Sequence, residues 1–284
     1  MKKLTSFLGE LLIMKNKLTS YVKNKNETLI VSRVRKDYVK KYAKFLIKKG
    51  NINDNSTLVD VPCGTGDMAK AIVSLIKVKR IILFDINSNM IKSAKEKIKE
   101  NMSFVLGDGA NISDLIKEKV DTIICLNGFH QYIQNKNKFL MGCSKILNHK
   151  GRLILDIATR GLNDDYTKKF FKTQKSELIR EVRKYKIRPT LPIWVDKKII
   201  NSYDKMILKN NLNIKEKTMF TTWYNTNYIL KNQIIIPGRS LPWLKGLDYK
   251  KRKNAFIKAT KKTINKIGNK KIEHNRIFYI ITKQ

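Results

Sequence analysis

The sequence predicts an α/β protein, a doubly wound and mostly parallel seven-stranded sheet with an N-terminal helical cap and a helical lid insertion. Three observations carry that prediction. From about residue 57, short β-branched runs alternate with helical segments, the pattern of a parallel sheet covered on both faces. The stretch "VDVPCGTGDMA", residues 59 to 69, joins the first of those runs to a helix through a glycine turn. Two more strand-like runs, "MFTTWYNTNYI" and "RIFYIITK", follow only after a long helical interval and complete the count of seven.

Residues 1–50 read as the cap. "MKKLTSFLGELLIMKNK" imitates a secretory leader, but Glu10 interrupts its apolar run and no small-residue cleavage site follows, so an amphipathic helix is expected. Residues 51–160 form the core, with strands at 57–61, 80–85, 103–108, 121–127 and 152–158. Between them Met68, Ile72, Leu75 and Ile76 make one helical stripe, Met90, Ile91, Ala94 and Ile98 a second, and Phe139, Cys143, Ile146 and Leu147 a third. Residues 161–216 are too long for a simple connection and read as a lid; residues 217–284 supply the last strands and a helix.

At 284 residues the chain can bury a substantial core, and no run of eighteen uncharged apolar residues predicts a membrane span. Cys63, Cys125 and Cys143 are scattered, which points to a reducing, cytoplasmic setting, and neither they nor the three histidines form a metal-ligand pattern. The net charge is +37, and only 11 of the 60 basic residues are arginine, a lysine bias of the kind an AT-rich genome produces. The charge is nonetheless uneven: 14 basic against 3 acidic residues in 1–50, 16 against 11 in 51–160, and 30 against 9 in 161–284. Such flanks attract phosphates, nucleic acid or acidic membranes.

Glycines at 64 and 66 let backbone approach a ligand, which suits a dinucleotide and a nucleoside equally. The neighbours discriminate. Asp60, directly before the turn, would repel a pyrophosphate but attract an ammonium or sulfonium. Asp85 ends the second strand, where a carboxylate accepts from ribose hydroxyls, and Asp108 with Gly109 ends the third, placed for an adenine amino group.

With those residues the chain resembles the class I S-adenosylmethionine-dependent methyltransferases, over roughly residues 55–158. The matching stretches are "VDVPCGTGD", "FDINSNMIKSAKEK", "LGDGAN", "ICLNGFHQY" and "ILNHKGRLILDI", and the second and fourth are most like the quinone-biosynthesis and related small-molecule enzymes. The resemblance implies a Rossmann-like fold with S-adenosylmethionine as cofactor. It also implies that Asp60, Cys63, Gly64 and Gly66 flank the methionine moiety, Asp85 and Ile86 hold ribose and adenine, Asp108 and Gly109 meet the adenine edge, and Asn127 contacts the methionine end. Pro62 and Cys63 depart from the family's usual glycine or alanine, and His149-Lys150 replaces a frequent Pro-Gly.

Methyl transfer needs alignment and water exclusion rather than a metal or a covalent nucleophile. His130, just past the fourth strand, is the candidate base, with Tyr132 as a weaker companion and Gln131 placed to orient substrate. Trp194, Trp223, Tyr224 and Trp243 are candidates for an acceptor pocket. The expected partner is a small-molecule acceptor, anionic or approached at a membrane surface through the amphipathic N-terminus. Three rivals stand beside it. An RNA methyltransferase is favoured by the charge, but "NGFH" lacks the Asn-Pro-Pro-Tyr type of motif. A nicotinamide oxidoreductase leaves Asp60 unexplained, and a non-catalytic protein that binds the cofactor is the third.

Overall fold

The computed structural model describes residues 36–98, 101–130, 133, 135–160, 163–186, 195, 197–227, 230 and 247–284. In chain order the elements are α1 (Lys36–Gly50), β1 (Thr57–Asp60), α2 (Asp67–Val73), β2 (Arg80–Asp85), α3 (Ser88–Lys97), β3 (Met102–Leu106), a 3-10 turn (Gly109–Asn111), α4 (Ile112–Leu115), β4 (Val120–Cys125), α5 (Lys136–Ile146), β5 (Leu147–Arg160), α6 (Asp165–Arg183), α7 (Lys197–Lys209), β6 (Leu212–Asn225), α8 (Tyr249–Ile267) and β7 (Lys271–Lys283). The strands make one seven-stranded sheet in the order β3-β2-β1-β4-β5-β7-β6. Pairing is parallel from β3 through β5. At the far edge Gln284 N–H meets the Asn211 carbonyl, and the Thr222 hydroxyl meets the His274 carbonyl, so β6 and β7 run antiparallel. The sheet is therefore the mixed α/β arrangement expected.

The central strands read as continuous apolar runs because both of their faces are covered. All four residues of β1 are buried, as are Ile81–Asp85 of β2 and Thr122–Cys125 of β4. Helices α3 and α5 bury the stripes read from the sequence: Ile91 and Ala94 on α3, with Ile98 just beyond it, and Phe139, Cys143 and Ile146 on α5. Asn87 caps α3 by accepting from the Asn89 and Met90 amides, and Asn135 caps α5 from Lys138. Helix α1 buries Ala43 and Leu46, sets Tyr42 and Phe45 against Phe278 of β7, and is tied at its end by Arg152, which donates to the Lys49 carbonyl at 2.5 Å.

The chain divides into two compact units. The first takes the described residues up to Ile157 with Ser202–Thr218 and Phe278–Gln284; the second takes Ala158–Asn201 and Met219–Ile277. In the second unit α6 and α8 pack through Leu178, Val182, Ala255, Phe256 and Ala259, and Lys262 and Lys266 reach the carboxylates of Glu181 and Glu177. No helix among the described residues is long and apolar enough to cross a membrane.

Candidate active site

Parallel register lines up the residues that the strands deliver to their carboxyl edge. Asp60 of β1 stands opposite Leu83 and Ile124, so Asp85 lies two residues beyond its pairing level on β2, and Asn127 three beyond on β4. Asp85 in turn stands opposite Leu106, which places Asp108 two residues past it on β3. The three carboxylates and Asn127 thus share one rim of the sheet, as their spacing predicts.

Between Asp60 and α2 the backbone turns through Gly64 and Gly66, both left-handed, with φ of 55° and 74°. A Cβ on Gly64 would meet no heavy atom within 4 Å, so the turn presents open space on that side. Asp85 builds the turn's floor. Its Oδ2 accepts the Gly64 N–H at 2.9 Å and its Oδ1 the Asn87 N–H at 2.9 Å. The ribose role expected for Asp85 is therefore joined by a bracing role. Burial raises its carboxyl against the opposing pull of those backbone amides.

Asp60 is different. It is 4% exposed, and its Oδ2 is buried with no hydrogen-bond partner. Burial first, then the neighbouring Asp85 and Asp67, push its carboxyl up to about 8. A buried carboxylate without a cation is costly, so an oxygen left this way beside the glycine turn suits a positively charged ligand. Asp67 is already answered by Lys97 at 2.7 Å and by the Thr65 hydroxyl at 2.8 Å.

The remaining predicted residues are placed as follows. Asp108 caps the 3-10 turn by accepting the Ala110 N–H at 2.9 Å; Gly109 is buried and Ile86 half-buried. Cys63 is buried at the turn, its N–H donating to the Phe84 carbonyl at 2.9 Å, and burial with the adjacent Asp85 and Asp60 keeps its thiol protonated. Cys125 is held protonated likewise, by burial and then Asp156. His130 Nδ1 lies 2.6 Å from the Tyr203 hydroxyl, and the Tyr203 ring stands edge-on to Phe129 at 5.1 Å. Burial raises the Tyr203 phenol, so it remains a phenol at neutral pH. In the second unit Trp223 is 51% exposed, while Tyr224 packs edge-on to His274 at 5.6 Å. Gln131, Tyr132, Trp194 and Trp243 lie outside the described residues.

Three contributors are not among the residues the sequence singles out. Asp156 Oδ1 accepts the Asn127 N–H at 2.5 Å; its signal is an acid inside the apolar run "RLILDIA". Tyr203 carries no such signal, because it reaches His130 from 73 residues away. Gly128 is required by close approach: a Cβ there would lie 2.1 Å from Pro62 Cδ and 2.8 Å from Cys125 Sγ. The loop after β4 is pressed against the glycine turn.

A family model described as a methyltransferase domain matches residues 52–219. The chain is 27% identical over 128 residues to an uncharacterized methyltransferase of Schizosaccharomyces pombe, covering 44% of this chain and 48% of that one. It is 28% identical over 98 residues to the demethylmenaquinone methyltransferase of Thermotoga maritima, covering 34% and 42%. The chain thus spans about half the length, or less, of these curated relatives. Among solved structures, a Thiobacillus denitrificans S-adenosylmethionine-dependent methyltransferase in complex with S-adenosyl-L-homocysteine aligns with a TM-score of 0.55 at 11% identity, covering 86% of this chain and 91% of that one. The YcgJ protein of Bacillus subtilis aligns with a TM-score of 0.54 at 16% identity, covering 85% and 97%.

Proposed function

The chain belongs to the methyltransferase-domain family, and from that premise we propose that it is a class I enzyme that transfers a methyl group from S-adenosylmethionine to a small-molecule acceptor. One observation carries the choice of cofactor: the buried, unpartnered Asp60 Oδ2 beside an open glycine turn. Asp60 would hold the ammonium of the methionine moiety, Gly64 the backbone approach, Asp85 and Ile86 the ribose and adenine, Asp108 and Gly109 the adenine edge, and Asn127 the methionine end. When bound, S-adenosylmethionine supplies a methyl group already activated on a sulfonium.

The protein's own part is to bind, align and manage a proton. Protonated Cys63 and Cys125 are poor nucleophiles, which favours direct transfer over a route through a cysteine adduct. His130 and Tyr203 are arranged for the proton. When Nδ1–H donates to the phenol oxygen, Nε2 is an acceptor suited to take a proton from a hydroxyl or an acidic carbon. His130→Ala should leave S-adenosylhomocysteine affinity within about 2-fold and slow turnover by about 10²–10⁴-fold. Equal loss of both in equilibrium binding and rate assays would remove the base assignment.

Similarity over 98 residues to the demethylmenaquinone methyltransferase of Thermotoga maritima supports a small acceptor, and the 30 basic residues in 161–284 suit one that is anionic. Incubating the protein with methyl-labelled cofactor and a cell extract divided into metabolites, RNA and protein tests this. Label should enter the metabolite fraction. Label confined to RNA would identify the charge-favoured alternative instead.

Gly64→Ala tests the cradle separately. With open space around its Cβ the variant should fold, at a cost of about 1–2 kcal/mol for the left-handed backbone. It should nevertheless lose most of its cofactor affinity, read by thermal shift with S-adenosylhomocysteine, because the methyl occupies the ligand's side of the turn.

A further inference from the structure

The chain leaves β4 through Asn127, which is left-handed with φ of 54°. Residues other than glycine rarely adopt that conformation, although asparagine tolerates it better than most. Something must hold it. The Asn127 N–H donates to Asp156 Oδ1 at 2.5 Å, from a side chain only 2% exposed. Asp156 sits on β5 one residue past the Cys125–Leu155 pair, where the ladder between β4 and β5 ends. The strands are already paired through Ile123, Ile124 and Cys125, and the surrounding positions Leu153, Ile154, Leu155 and Ile157 are all apolar and buried. An acid in that row costs the fold more than an apolar residue would, so the sheet itself does not call for one. The loop gives it a use: past Asn127 the chain turns at once into Gly128, which lies against Pro62, and then into Phe129 and His130.

We propose that Asp156 is a positioning residue for the methionine end of the cofactor site, acting through the backbone of Asn127. The inference rests on the cofactor reading above, since it is Asn127 that meets that end of the ligand. It separates the ligand into two parts with different dependence on Asp156. The adenosine part is held by the ends of β2 and β3; the amino-acid part depends on the glycine turn and on the loop that Asp156 fixes.

The test compares S-adenosylhomocysteine with 5′-methylthioadenosine, which shares the nucleoside and thioether but lacks the amino-acid end. Calorimetric titration of Asp156→Ala should show S-adenosylhomocysteine weakened by about 10-fold or more and 5′-methylthioadenosine within about 2-fold of wild type. Asp156→Asn, whose side-chain carbonyl still accepts the Asn127 N–H, should recover affinity to within about 3-fold. Where Asp156→Ala does not fold, Asp156→Ser, too short to reach the amide, carries the same expectation. Unchanged S-adenosylhomocysteine affinity in the Ala or Ser variant, or an equal loss of both ligands, overturns the proposal. Wild-type protein that binds neither ligand overturns the cofactor reading itself, and the proposal with it.

Discussion

Asp60→Asn is expected to stabilise the empty protein while weakening its affinity for the cofactor. Asp60 has an ordinary value of 3.8 and stands at about 8 when buried in the fold. Between those pH values the unfolded chain has released the proton that the folded chain keeps. Folding therefore takes up a proton, and stability falls as pH rises from about 4 to about 8, then levels off once both states are ionised. Asparagine removes that cost. Near pH 8 the variant should gain about 1–3 kcal/mol, less than the full shift because the amide brings its own unmet donors. Thermal melts from pH 5 to 9 check this: the two proteins should converge at the acid end, and wild type should fall below the variant as pH rises. Affinity moves the other way, since an amide cannot answer an ammonium; S-adenosylhomocysteine should bind on the order of 100-fold more weakly.

Asp85→Ala is expected to be the most damaging single change at the rim. It leaves the Gly64 and Asn87 amides without their acceptors, and so loosens both the glycine turn and the first turn of α3. The loss of stability should be about 2–4 kcal/mol, since each unmet buried amide costs about 1–3 kcal/mol. Cofactor affinity should fall further than in Asp60→Asn, because backbone placement and the proposed ribose acceptor are lost together. Asp85→Asn separates the two effects. Its carbonyl can still serve one amide, so denaturant melts should show a smaller loss of stability than in Asp85→Ala. A melt of Asp85→Ala that coincides with wild type would show that Asp85 does not brace the turn.

The central parallel strands β1, β2 and β4 were legible because they are buried on both faces. "RIILFD" spans β2 as it stands, and "TLVDV" and "DTIICLN" lie within two residues of β1 and β4. Strand β6 was not, because it begins at Leu212 rather than Met219. Its first half, "LNIKEKT", carries charges on an alternately exposed strand at the sheet edge, where only Leu212 and Ile214 are apolar and three charged residues follow. At the site, Asp60, Asp85 and Asp108 stood out as acids following apolar runs, and the first two end strands that are buried. What they bind within the protein did not, because their partners are backbone amides with no sequence signature. Tyr203 and Asp156 act across the fold, one on a ring and one on a peptide N–H, and only the folded chain brings them to the loop. Tyr224, read as a candidate for the acceptor pocket, packs among Phe170, Phe171 and Ile272 in the second unit.

A single calorimetric experiment addresses the grip of Asp60 on a cation: titration of wild-type protein with S-adenosylhomocysteine at pH 7, repeated in buffers of differing ionisation enthalpy. With its carboxyl raised to about 8, Asp60 enters the titration mostly protonated and is expected to ionise to meet the ligand's ammonium, so binding should release protons. Saturable binding with the same heat in every buffer would mean that no proton leaves, and would contradict a buried, protonated Asp60 that ionises to meet the ligand.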